Sequence, residues 1–235
     1  MPVNNLIALA VTFITALAWL RLNDFMAQKG WISGPLSRKI IHIGTGPIFV
    51  ACWLLFDSAW YARYLAALVP LFSTLQFLLV GLGVIQDPSA VKAMSRTGDR
   101  REILKGPLYY GIVFVVLTIA FWKTTPVGIV PLMVLSGGDG LADVMGNRLR
   151  SPHLPWSKNK TWAGSLFMFM GGWAAAVLLI GLFSLTHQFP HGLLYYLPGI
   201  TLIAFAGMVI ESLPYHDIDN ITVPILSVVI GLLVF

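Results

Sequence analysis

Long apolar runs alternate with short polar segments along the whole chain. A helix that crosses a bilayer needs about 20 mostly apolar residues, and eight runs approach that length. They cover residues 3–20, 40–56, 64–85, 106–122, 126–145, 163–185, 193–210 and 221–235. The pattern predicts an all-α, polytopic transmembrane bundle of about seven or eight spans, formed by one integral membrane domain over residues 1–235.

The composition supports this interpretation. Of the 235 residues, 57% are hydrophobic and 11% are charged, whereas soluble domains carry about 25% charged residues. A single soluble domain is therefore excluded. The first apolar run has no basic region before it and ends in WLRLND rather than at a small-residue cleavage site, so we interpret it as a span and not as a signal peptide.

Positive charge is concentrated in alternate loops. Thirteen of the 15 Lys and Arg residues lie in loops one, three and five. These are Arg21, Lys29, Arg38 and Lys39, then Lys92, Arg96, Arg100, Arg101 and Lys105, then Arg148, Arg150, Lys158 and Lys160. Because positive loops stay in the cytoplasm, we expect the N-terminus outside. The charge of +5 is then mostly a topology signal, and no basic soluble domain is present to bind nucleic acid.

The fifth span is interrupted by polar residues. After PVGIVPLMVL the chain continues SGGDGLADVMGNRLR, with Asp139 and Asp143 four residues apart. On a helix this spacing places both carboxylates on one face, where they repel each other unless a proton or cation lies between them. Mg²⁺, or Mn²⁺ in its place, suits one or two carboxylates together with phosphate oxygens. We therefore expect a broken fifth span with a catalytic metal on Asp139 and Asp143.

The glycines around these acids suggest a phosphate site. Gly137, Gly138 and Gly140 would let the backbone approach a ligand closely. We expect a half-helix that begins near Asp139 and directs free N–H groups at phosphate. The alternative is that the acids cap a short helix or pair with Arg148 for structure alone.

A second group of phosphate-binding candidates follows in SKNKTWAGS. Lysine ammonium groups attract phosphate oxygens, and hydroxyls or N–H groups at a helix start add directed hydrogen bonds. The candidates are Lys158, Lys160, Thr161, Gly164 and Ser165. For either lysine alone, ordinary anchoring at the membrane surface is an equally good explanation.

Two further clusters complete the candidate site. ESLPYHDIDNITVP places Glu211, Asp217, Asp219 and Asn220 between spans seven and eight, where they could bind a second cation or orient a hydroxyl. In SRKIIHIGTG, Arg38 and His42 lie one helical turn apart and could contact phosphate. His42 could equally be a hydrogen-bonding residue at the interface.

Four blocks, in order along nearly the whole chain, carry a family resemblance. They are SRKIIHIGTG, LSGGDGLADVMGNRL, SKNKTWAGSLFMFMGG and ESLPYHDIDNITVP. The sequence resembles the phytol kinase and dolichol kinase family of polyprenol kinases. The family pattern Lys-(Ser/Thr)-x-x-Gly-Ser is matched at Lys160, Thr161, Gly164 and Ser165, and Gly-Asp-x-x-Ala-x-x-x-Gly at Gly138, Asp139, Ala142 and Gly146.

The resemblance implies a CTP-dependent kinase that phosphorylates a long-chain isoprenoid alcohol, with phytol and tocopherol metabolism as the closest case. It implies a multi-pass protein of a bacterial inner, thylakoid-type or plastid membrane, with membrane lipid, the alcohol and a nucleoside triphosphate as partners. Asp219, and after it Glu211, are our candidates for the group that accepts the alcohol's proton.

Other functions remain open at this stage. A dolichol, other polyprenol or diacylglycerol kinase would use the same polar groups. A CDP-lipid cytidylyltransferase usually shows Asp-Arg-x-Asp late in the chain, which is absent here. A transporter of an anionic solute could use a broken helix, but the polar clusters lie at the ends of spans rather than at the midplane.

Overall fold

The computed structural model describes residues 4–95, 97–214 and 218–235, and most of them are helical. The long helices are α1 (Asn5–Gln28), α2 (Gly34–Ala51), α3 (Ala62–Leu82), α5 (Gly106–Ala120), α8 (Trp162–Leu185), α9 (Leu193–Glu211) and α10 (Asp219–Val234). Shorter ones are α4 (Pro88–Met94), α6 (Pro126–Met133) and α7 (Gly140–Arg148). Two 3₁₀ turns, Cys52–Leu55 and Arg100–Leu104, precede α3 and α5. The all-α bundle predicted from the apolar pattern is confirmed.

In the described part of the chain, six helical stretches are long and apolar enough to cross a membrane: Asn5–Gln28, Ala62–Leu82, Arg100–Ala120, Pro126–Arg148, Trp162–Leu185 and Leu193–Glu211. Helix α10 is apolar but shorter. The remaining predicted span lies in α2, whose sequence GPLSRKIIHIGTGPIFVA includes Arg38, Lys39 and His42. Those polar residues lower its hydropathy, which is why α2 falls outside the six.

The fourth of these stretches is the central helix of the bundle. In its most apolar 18-residue window 78% of the residues are buried, against 17–39% in the other five. It is made of α6, a π-helical segment (Val134–Asp139) and α7. The interruption predicted at SGGDG is therefore a change of helical type within one continuous helix, and segments of this kind are frequent at functional sites.

This continuity corrects one expectation. The backbone of Asp139 is helical, with φ −59° and ψ −42°, and the N–H of Gly140 donates to the carbonyl of Gly137. No free half-helix start therefore points at a ligand here. The acids are presented from within a helix, and their positions are fixed by its packing.

Glycine allows that packing to be close. A Cβ added at Gly137 would lie 2.8 Å from the carbonyl oxygen of Gly171 in α8, and one at Gly138 would lie 2.8 Å from that of Met168. At Gly140 an added Cβ would overlap Ile43 of α2. Small residues commonly permit such contacts between membrane helices. The three glycines thus hold the central helix against α8 and α2, and their contact with phosphate stays a prediction.

A short β-hairpin, absent from the sequence-based prediction, connects α7 to α8. Strand β1 (His153–Leu154) pairs antiparallel with β2 (Ser157–Thr161). Trp156 in its turn donates from Nε1 to the carbonyl of Ser212, 3.1 Å away, just beyond α9. The hairpin is thereby held against the end of α9.

Candidate active site

Three acids from three separate helices converge at one end of the bundle, which we call the site end. Asp139 ends the π-helical segment, Glu211 ends α9 and Asp219 begins α10. Each offers a carboxylate oxygen, and these oxygens lie within 4.8 Å of one another. We call these residues the acid triad. Glu211 is almost fully buried, so the triad is partly shielded from water.

Lys160 of the hairpin is the cation beside the triad. Its ammonium group forms an ion pair with Glu211 and lies 3.6 Å from a carboxylate oxygen of Asp219. Burial alone would lower the pKa of Lys160, but the carboxylates of Glu211, Asp219 and Asp139 outweigh burial and raise that pKa. Lys160 is therefore positively charged at neutral pH.

The charge balance of this cluster fits a bound divalent cation. Three carboxylates face one lysine, and partly buried like charges repel unless a cation or a proton offsets them. Ser165 follows Lys160 closely in sequence, and Asn220 follows Asp219 directly. The buried Oγ of Ser165 and Oδ1 of Asn220 also have no hydrogen-bond partner among the residues that the structure describes. Oxygen ligands of this kind suit Mg²⁺.

His42 of α2 lies beside Asp139 of the triad. Its Nε2 lies 3.3 Å from the Oδ2 of Asp139. The imidazole packs on the ring of Tyr110 with centroids 4.4 Å apart, and the Tyr110 hydroxyl donates to the carbonyl of His42. His42 thus lies beside the acidic site, and its contact with phosphate stays a prediction. Tyr110 is a supporting residue that nothing in the sequence pattern marked.

Asp143 does not share a cluster with Asp139. Its carboxylate forms an ion pair with Lys39 of α2 and accepts a 2.8 Å hydrogen bond from the Asn147 side chain. These contacts give Asp143 partners of its own, and a cation shared with Asp139 stays a prediction from the i, i+4 spacing. Within the described residues, Asp139 is grouped with Glu211 and Asp219, a grouping that loop and span assignments could not reveal.

Arg38 and Lys158, which were also predicted to bind phosphate, have surroundings different from those of Lys160. Arg38 donates from Nη1 to the carbonyl of Ser95 at 2.6 Å, which ties α2 to the segment after α4. Lys158 is exposed on β2. Lys158 lies two residues before Lys160, in a part of β2 where the pairing with β1 is irregular. Asp217 lies outside the described residues.

The start of α8 is closed by internal hydrogen bonds. The Thr161 hydroxyl accepts from the N–H of Gly164 at 3.1 Å, and the N–H groups of Trp162 and Ala163 donate to Pro152 and Ser151. An added Cβ at Gly164 would lie 3.4 Å from the carbonyl oxygen of Ala142, so this glycine lets α8 pack on α7. Thr161 and Gly164 thus shape the helix start, and their contact with phosphate stays a prediction.

A chamber of about 720 Å³ opens beside the triad, between α1, α2, α3, α5 and α7. Its polar end is lined by Arg38, Lys39, His42, Asp139, Asp143, Asn147, Arg148 and Asn220. Its apolar part is lined by Ala16, Leu20, Phe49, Val69, Phe77 and Phe114. The lining includes Asp139 but not Lys160, Glu211 or Asp219, so Asp139 stands between the chamber and the rest of the triad.

This arrangement can bring two substrates together at one carboxylate. On one side of Asp139, the acids and Lys160 form a site for a cation and phosphate groups. On the other side, an apolar space ends in polar groups, which suits a molecule with a long hydrocarbon part and a polar head. A phosphoryl transfer to a lipid needs both sites side by side.

Curated relatives match nearly the whole chain. A probable chloroplastic phytol kinase of Triticum aestivum is 38% identical over 230 residues, which is 96% of this chain and 77% of that protein. A probable phytol kinase 1 of Oryza sativa is 39% identical over 96% of this chain and 73% of its own length. A chloroplastic farnesol kinase of Arabidopsis thaliana is 38% identical over 99% of this chain and 76% of its own length.

No protein-family model and no solved structure matches the chain. The level of identity and the coverage of both partners in these alignments are nevertheless enough to define the family. The chain belongs to the phytol kinase family of membrane kinases that phosphorylate isoprenoid alcohols.

Proposed function

We propose that this protein transfers the γ-phosphoryl group of CTP to the hydroxyl group of phytol, with Mg²⁺ bound at the acid triad. The observation that carries the proposal is the position of Asp139, which faces both the Lys160 cluster and the polar end of the chamber. Relatives named phytol kinase and farnesol kinase support an isoprenoid alcohol as the acceptor. The choice of CTP rests on the family resemblance.

On the nucleotide side, Asp139, Glu211 and Asp219 would hold the metal ion. When bound, Mg²⁺ neutralises charge on the phosphate oxygens and orients them. Lys160 lies beside the triad and stays protonated, so it can attract the same oxygens. Lys158 is exposed two residues before Lys160 and can follow the polyphosphate outward. Phosphoryl transfer depends mainly on such positioning and charge neutralisation.

On the acceptor side, we assign Asp143 as the group that takes the alcohol's proton. Asp143 lines the chamber, whereas Asp219 and Glu211 do not. Its ion pair with Lys39 holds the carboxylate at the polar end of the chamber. This assignment replaces the choice of Asp219 or Glu211 suggested by loop position. Asp143→Asn should lower kcat and leave the KM for CTP unchanged, and a large increase in that KM would overturn the assignment.

The site end also carries the three positive loops, so we propose that it faces the cytoplasm or the equivalent stromal side. The relatives are named chloroplastic, and a plastid or thylakoid-type membrane agrees with that. A cysteine introduced at Gly98 or His153 in a Cys52→Ala background should resist impermeant reagents in sealed, correctly oriented vesicles. Labelling of both positions from the outside would show that the protein has the opposite orientation.

The reaction is tested with two differently labelled forms of CTP. Purified protein is given Mg²⁺, CTP labelled at either the γ- or the α-phosphate, and either phytol or phosphatidic acid, the lipid phosphate that a cytidylyltransferase needs as its acceptor. A kinase transfers only the γ-label to the lipid, whereas a cytidylyltransferase transfers only the α-label. We expect γ-label in phytyl phosphate, and parallel reactions with labelled ATP measure the preference for the base. Transfer of the α-label, or no transfer to any isoprenoid alcohol, would contradict the proposal.

A further inference from the structure

The apolar part of the chamber has a built floor. From Lys39 at its polar end the chamber follows α2 past His42 and Thr45 to Phe49, a distance of about 15 Å along the helix axis. On α5 it passes Tyr110 and Gly111 and ends at Phe114. Phe49 and Phe114 are both nearly fully buried, and their ring centroids lie 6.0 Å apart.

A second aromatic layer lies beneath this floor. The ring of Trp53, which is fully buried, packs edge-on against Phe49 at 5.9 Å. Trp122 lies 5.0 Å from Trp53 and 5.7 Å from Phe56. Closely packed aromatic rings have no free volume into which the floor could retreat. The chamber is thus closed in the direction that leads away from the acid triad.

The side walls differ from the floor in size. Ala16 of α1 lines the chamber with a single methyl group, and Val69 of α3 lines it with a small branched side chain. The total volume of about 720 Å³ lies in the range of pockets that enclose one small molecule. Space for the tail is therefore left by small side walls and limited by an aromatic floor.

We propose that Phe49 and Phe114 form the floor that limits the length of the alcohol tail, with Ala16 providing side-wall space for it. This inference rests on the proposed function and names the residues that determine its substrate specificity. The alcohol's hydroxyl lies at the polar end beside Asp139 and Asp143, so the tail extends toward the floor. A tail that is too long meets Phe49 and Phe114 and pulls the hydroxyl away from the transferred phosphoryl group.

The test compares farnesol, phytol and geranylfarnesol, which have three, four and five isoprene units. Ala16→Phe fills the side-wall space, so the ratio of kcat/KM for phytol to that for farnesol should fall on the order of 10-fold or more. Ala18→Phe is the matched control, because Ala18 is exposed on the same helix and does not line the chamber. It should leave the ratio unchanged.

The reverse change shortens a floor residue. Phe49→Leu deepens the chamber, so activity with geranylfarnesol should rise relative to phytol by a similar factor. Phe205→Leu is its control, since Phe205 is 53% exposed on α9 and remote from the lining. Each variant is first checked for a monodisperse, folded protein, and either chamber variant alone is sufficient for a decision.

The outcomes separate the two levels of the proposal. If the unmodified protein phosphorylates no isoprenoid alcohol, the proposed function fails. If it does phosphorylate them and the folded chamber variants keep its length preference, the tail lies elsewhere and this inference is overturned. A shift toward shorter alcohols in Ala16→Phe, or toward longer ones in Phe49→Leu, with silent controls, supports it.

Discussion

The polar residues at the two ends of the helical bundle differ in how they are paired. At the end opposite the site, Asn5 and Asp57 exchange hydrogen bonds of 2.8 and 3.0 Å, and buried Lys123 donates to the carbonyl of Phe56 at 2.6 Å. Arg63 donates to the carbonyl of Ile119. Each of these four side chains has a local partner that joins neighbouring segments.

At the site end the charges are not matched in this way. Asp139, Glu211 and Asp219 share one lysine, and Asp139 also faces a chamber. Incompletely matched charges next to apolar surface are costly and are usually retained for function. The comparison teaches that burial of polar residues alone does not identify the site. An excess of carboxylates over cations beside a chamber does identify the site.

The largest expected effect is the loss of activity in Asp139→Asn. This substitution removes the carboxylate shared by the triad and the chamber, so the rate should fall by at least ~100-fold. Asp24→Asn removes an exposed carboxylate from α1 and is the matched control. Steady-state kinetics of both purified variants measure the difference. Near-normal turnover by the Asp139 variant would remove this residue from the site and undermine the comparison.

A smaller, more selective effect is expected for Lys160→Ala. Its ammonium group acts on the bound nucleotide as well as on the transition state, so the KM for CTP should rise about 10-fold. Lys158→Ala, on the same strand but exposed, should change that KM less. Initial rates over a range of CTP concentrations test this order. An equal effect of both substitutions would mean that the hairpin contributes charge without a specific contact.

The smallest effect on catalysis is expected at the other end. Lys123→Met leaves the Phe56 carbonyl without its donor, which should cost about 1–3 kcal/mol of stability. Burial lowers the pKa of Lys123, and Asp57 opposes this shift only in part. The substitution therefore removes a charge that burial already disfavours. Thermal unfolding in detergent should show the loss, while kcat stays near normal. A large fall in kcat would show that this end also serves the reaction.

Much of this architecture follows from the sequence. The apolar runs predict the helices because backbone groups in lipid must pair within each segment. The acids in ESLPYHDIDN and SGGDGLAD stand out because ionisable groups are rare near spans. Hence Asp139, Lys160, Glu211 and Asp219 were all identifiable as candidates before their contacts were known.

The partnerships within the site could not be predicted in the same way. Local spacing suggested that Asp139 and Asp143 share a cation, but the acids grouped with Asp139 come from α9 and α10, through packing that a one-dimensional pattern does not contain. Likewise, glycines that suggest ligand contact from sequence serve close packing at Gly137 and Gly140. The aromatic floor carries no sequence signal, because aromatic residues are equally common in α8 and α9, which do not line the chamber.

The central claim is that the metal ion is held by Asp139, Glu211 and Asp219, while Asp143 serves the acceptor side. Binding of Mn²⁺ to the purified protein, measured by electron paramagnetic resonance with and without CTP, tests it independently of turnover. Asp219→Asn should weaken Mn²⁺ binding about 10-fold or more, and Asp143→Asn should leave it near that of the unmodified protein. Weakened binding in Asp143→Asn together with unchanged binding in Asp219→Asn would contradict the account.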